Sequence, residues 1–118
     1  MAAIYPFRAL RPPVEKVQEV AAVPYDVVNT EEARALAAGN PLSFLHVSRP
    51  EIDLPAGTDI YADEVYERAR ENFEELKRGG ALAQDDSPAL YVYRLTMGGH
   101  TQTGVAAAFS VDEYDRDL

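Results

Sequence analysis

The sequence contains no cysteine and only two histidines, His46 and His100. Disulfides and thiolate chemistry are excluded, and a structural zinc site lacks its ligands. Basic residues are scarce as well: 11 lysines and arginines stand against 20 aspartates and glutamates, a formal net charge of -9. A surface of that sign repels phosphate backbones, so nucleic acid is not an expected partner. No window approaches the roughly 18 consecutive apolar residues of a spanning helix. The N-terminal MAAIYPFRALRPP carries no apolar signal core behind its arginines. The expectation is a cytoplasmic protein with no membrane contact.

Several chemical signatures are missing too. Gly98-Gly99-His100 joins two strand-like runs and lacks the G-x-x-x-x-G-K-[ST] spacing of a phosphate loop. There is no G-x-S-x-G elbow and no Ser-His-Asp order. Asp112, Glu113, Asp115 and Asp117 lack the central glycine and closing glutamate of a calcium-binding loop, and read as an exposed acidic end. No metal site is expected.

The 118 residues suit one domain, and a hydrophobic fraction of 47% is enough for a packed core. Ile4, Tyr5 and Phe7, bounded by prolines, read as an edge strand. Pro13 opens a short helix through Val14, Val17 and Val20. Asn29 and Glu32 form a capping box for a helix that runs through Ala38 and stops at Gly39 and Pro41. Leu42 to Val47 reads as a strand with Phe44 and His46 on one face and Leu45 and Val47 on the other. Ser48 to Asp59 is an irregular loop.

Tyr61 to Arg78 has the period of a long helix, with Val65, Ala69, Phe73 and Leu76 in one stripe, widened by Tyr66. Glu64 with Arg68 and Glu74 with Arg78 are i, i+4 pairs on its outer face, and Gly79-Gly80 ends it. Ala89 to Thr96 and Thr101 to Ser110 form a hairpin about Gly98-Gly99. Gly104 within the second strand marks a bulge or a close approach by another backbone. The resulting expectation is an α+β domain over residues 1–118. It has a small mixed or antiparallel sheet of four to five strands, two or three helices packed mainly on one face, and a hairpin at its end.

Five residues in two segments, Pro24–Asp26 and His46–Glu51, carry candidate chemistry. Tyr25 and Asp26 either present a phenol and a carboxylate to a ligand or form a turn that bonds its own backbone. His46 is either a base or ligand group, or a hydrogen-bonded structural histidine. Arg49 and Glu51 either hold an anionic group or pair with each other.

Read together, Ala22-Val-Pro-Tyr-Asp-Val, Pro41-Leu-Ser-Phe-Leu-His-Val, Arg49-Pro-Glu-Ile-Asp-Leu-Pro and Tyr93-Arg-Leu-Thr-Met-Gly-Gly resemble the N-terminal part of an uncharacterised prokaryotic family, DUF1015. The resemblance spans essentially the whole chain. It implies a considerably longer protein, with this chain as its N-terminal domain and the remainder as a partner. More distantly, it implies similarity to the ParB, sulfiredoxin and free-serine-kinase group, and with it ATP or ADP with magnesium. An Asp-Gly-His-His-Arg-like segment expected in that group is not in this sequence. Two functions follow as expectations: part of a small-molecule or nucleotide-binding enzyme such as an amino-acid kinase, or a non-catalytic interaction or assembly domain that pairs with another chain, a homo-oligomer being one form of this, or with the remainder of the protein.

Overall fold

The computed structural model describes residues 3–112. Its strands are β1 (Ile4–Tyr5), β2 (Leu10–Arg11), β3 (Ala83–Gln84), β4 (Tyr91–Met97), β5 (His100–Ala106) and β6 (Ala108–Phe109). Its α-helices are α1 (Val17–Val20), α2 (Thr30–Ala37), α3 (Leu45–Ser48) and α4 (Asp63–Arg78). The chain divides into two compact units, Arg11–Ala83 being one, and it enters that unit within β2 and leaves it within β3. Mixed α+β character is thus observed. Of the acidic end, Glu113, Asp115 and Asp117 lie outside the described residues.

The Arg11–Ala83 unit is helical and holds every buried apolar residue among those described. Val20, Leu76, Ala81 and Leu82 form one cluster, with Leu42, Phe44, Val47 and Phe73 packed against it. Ala33, Ala37, Leu45 and Ile52 form a second, with Val28 alongside. α2 begins as its capping box demands: Asn29 Oδ1 accepts from Glu32 N at 2.8 Å, and Glu32 Oε1 accepts from Asn29 N at 3.0 Å. Gly39, at φ +74°, takes the left-handed conformation that ends it.

α4 buries Val65 and Leu76. Aspartate and glutamate in its first turn and Lys77 and Arg78 in its last complement the helix dipole. The ion pairs that form along it are Glu67 with Arg70 and Glu74 with Lys77, each at i, i+3, rather than the expected Glu64–Arg68 and Glu74–Arg78. Tyr66 is 59% exposed and does not widen the buried stripe.

The expected strand at Leu42 to Val47 is instead a turn followed by α3. Phe44 and Val47, three apart, face the first cluster while Leu45 enters the second, a division that one helical turn makes and an alternating strand does not. Two side chains shape the entry: Asn40 Oδ1 accepts from Leu42 N at 3.1 Å, and Ser43 Oγ from Leu45 N at 3.2 Å. The expected loop from Ser48 contains a 3-10 turn over Pro50–Asp53, with the proline at its start.

In the other unit, β4 and β5 pair antiparallel from Tyr91↔Ala106 to Met97↔His100. Gly98 and Gly99, at φ +55° and +82°, make the tight turn between them. The close approach at Gly104 comes from a side chain, not a backbone: its cross-strand partner Tyr93 lays its ring where a Cβ would stand. β1 pairs antiparallel with β6, and Phe7 bridges to Ala89. The Tyr91 hydroxyl donates to Asp85 Oδ2 at 2.6 Å and accepts from Ala9 N at 3.0 Å. Among the described residues no sheet exceeds two strands, so the expected sheet of four to five strands is not observed.

Candidate functional site

Tyr25, Asp26, Arg49 and Glu51 line one cavity of the helical unit, about 390 Å³ in volume. A 3-10 turn over Tyr25–Val27, set by the extended Pro24 before it, supplies the first two. The residues joining α3 to the Pro50–Asp53 turn supply the others. Val47, Ile60, Val65 and Ala69 give the cavity apolar walls, and Tyr61 and Tyr66 line it too.

The Arg49 guanidinium is largely engaged within the protein. Its Nε donates to the Tyr25 carbonyl at 3.0 Å, its Nη1 to Glu51 Oε1 at 3.0 Å, and its Nη2 to the Val28 carbonyl. By gripping carbonyls at both ends of the Tyr25–Val27 turn, Arg49 fixes the backbone that carries Asp26. Glu51, only 6% exposed, also accepts from Thr30 Oγ1 at 3.3 Å. Arg34 binds the same segment from α2: its guanidinium donates to the carbonyls of Glu51, Ile52 and Leu54 at 3.3–3.4 Å. Asp26 differs from both arginines. Its carboxylate makes no hydrogen bond or ion pair to the other described residues, and it is exposed.

His46 lines a different cavity, of about 640 Å³, with Asp53, Arg68, Asn72 and Arg78 among its neighbours there. It sits within α3 rather than at a strand end. Its Nδ1 lies 2.7 Å from Asp53 Oδ1 and its Nε2 lies 2.9 Å from the Asn40 carbonyl. Asn72 of α4 donates to the His46 carbonyl and to Asp53 Oδ2, both at 2.8 Å. Both imidazole nitrogens therefore face acceptors of the protein itself, and the cluster ties α3, the Pro50–Asp53 turn and α4 together.

Sequence reasoning missed Tyr61 and Tyr66 as cavity residues. The available signal was that Val65, Ala69, Phe73 and Leu76 already complete the α4 stripe, so a further aromatic beside it has no core position to fill. Asp53 and Asn72 were missed as well, because the spacing of a His–Asp–Asn cluster drawn from three elements is not visible in one dimension. Arg70, pushed up in pKa by its hydrogen bond to Glu67 and by that residue's charge, does not line this cavity. Among the described residues no group of three or more histidines, aspartates and glutamates is placed to hold a metal ion. No helix of the described residues is long and apolar enough to cross a membrane.

These features define a small α+β protein with a cavity of mostly apolar walls in its helical unit. The DUF1015 family, described as "Protein of unknown function", matches residues 4–118, and the chain belongs to it. No curated protein and no solved structure matches the chain.

Proposed function

We propose that the cavity between Tyr25-Asp26 and Arg49-Glu51 binds a small molecule, and that the chain is the ligand-binding, N-terminal part of a cytoplasmic enzyme-like protein acting on an amino acid or a similar small compound. One observation carries this reading: two segments more than twenty residues apart meet at one cavity, and one of them presents a carboxylate with no partner among the described residues. Concave sites with apolar walls and a few convergent polar groups are where small ligands bind.

ATP or ADP with magnesium, suggested by resemblance to free-serine kinases, does not fit these residues. Among the described residues Arg49 is the only cation lining the cavity and it is paired with Glu51, and no described glycine of positive φ lines it to cradle a phosphate. An amino-acid ligand suits the cavity better.

Titrating the 15N-labelled protein with each of the common amino acids, ATP and ADP at millimolar concentration tests the reading. Amide shifts concentrated at Tyr25, Asp26, Tyr61 and Tyr66 are expected for at least one amino acid. No shift at the cavity with any compound overturns it.

A second reading, a non-catalytic assembly domain, draws on the β4–β5 hairpin. One of its faces exposes Leu95 and Met97, at 63% and 85%. In that reading the hairpin pairs with another chain, which sedimentation across a concentration range tests. A strict monomer at all concentrations overturns pairing between copies.

A further inference from the structure

We propose that the group recognised in the Tyr25–Asp26 cavity is an organic cation, an ammonium or alkylated ammonium, held between tyrosine rings and the Asp26 carboxylate. The proposal rests on the cavity reading above and narrows it to a substrate class.

Charge supplies the first argument. Asp26 and Glu51 are the anions lining the cavity and Arg49 is its cation, so the lining carries one net negative charge. Arg49 and Glu51 neutralise each other at 3.0 Å. What remains is Asp26, accessible and without a partner among the described residues. An anionic ligand meets that carboxylate with no free cation to offset it, whereas a cation completes an ion pair.

The second argument is aromatic. Tyr25, Tyr61 and Tyr66 line the same cavity and are 60%, 75% and 59% exposed. None of their hydroxyls bonds to another described residue. More than half exposed, these rings are not core packing. The negative face of a ring attracts a cation, and several rings around one carboxylate recognise the charge and the apolar alkyl groups of an ammonium together.

Arg49 acts here as a positioning residue. Through the Tyr25 and Val28 carbonyls it holds the turn that brings ring and carboxylate to the cavity. Lysine at this position keeps the charge but not the planar fork.

The test is a 15N amide-shift titration with choline and with 3,3-dimethylbutan-1-ol, its neutral carbon analogue. Choline is expected to shift Tyr25, Asp26, Tyr61 and Tyr66, and the alcohol to bind about tenfold more weakly. Asp26→Asn is expected to weaken choline about fivefold, and Tyr61→Leu, which keeps apolar bulk and removes the ring, about threefold. Both side chains are exposed, so the variants retain the fold, which their spectra report directly. Equal binding of choline and the alcohol, or an unchanged choline affinity in Asp26→Asn, overturns the cation proposal and leaves the cavity reading standing. Silence of the cavity toward both compounds and toward every amino acid and nucleotide overturns both.

Discussion

The two sides of the cavity draw on similar residues and differ in what those residues already hold. On the Arg49–Glu51 side, a guanidinium grips two carbonyls and a carboxylate, and that carboxylate is nearly buried. On the Tyr25–Asp26 side, a carboxylate and a phenol point outward with no partner among the described residues. The engaged side fixes the backbone of the free side. Charged residues beside a cavity are thus of two kinds, and only the hydrogen bonds tell them apart. Removing the engaged kind is expected to cost stability, while removing the free kind is expected to leave it nearly unchanged.

The largest effect is expected at Glu51. Glu51→Ala leaves Arg49 partly buried without its counter-charge and removes the acceptor of Thr30, so a loss of about 3 kcal/mol is expected in urea denaturation. The double variant with Arg49→Ala is expected to lose clearly less than the sum of the two single losses, because the two share one interaction. Additive losses would show that the pair is not coupled.

Arg34→Ala comes next. It frees three carbonyls of the Glu51–Leu54 segment that water partly reaches, and is expected to lose about 1.5 kcal/mol. Asn29→Ala removes the α2 cap and is expected to lose about 1 kcal/mol with no change in ligand shifts; an unchanged urea midpoint would contradict the cap's contribution. Smallest is Asp26→Asn, expected to stay within about 0.5 kcal/mol of the parent.

Much of the helical unit and the hairpin was legible in the sequence because local chemistry specifies them. Asn29, Glu32 and Gly39 delimit α2, the Val65–Leu76 stripe defines α4, and Gly98-Gly99 sets the hairpin turn. Leu42 to Val47 was not legible. Over six apolar-rich residues the strand and helix periods both fit, and the choice is made by the two clusters that Phe44, Val47 and Leu45 reach. The extent of the sheet was illegible for a related reason, since pairing among two-residue strands is decided by tertiary contacts.

At the site, the sequence singled out Tyr25, Asp26, His46, Arg49 and Glu51 as candidates; four of them line one cavity and His46 lines another. It did not separate His46, whose two ring nitrogens are taken up by Asn40 and Asp53. Nor did it show that Arg49 and Glu51 are engaged with the protein while Asp26 is not. A residue's type states its capacity for hydrogen bonds, and only the fold states which of them are already made.

Urea denaturation of Glu51→Ala and Asp26→Asn side by side tests the division between the two sides most directly. The structure predicts a loss of about 3 kcal/mol for the first and less than about 0.5 kcal/mol for the second. Comparable losses, or a larger loss for Asp26→Asn, would contradict it.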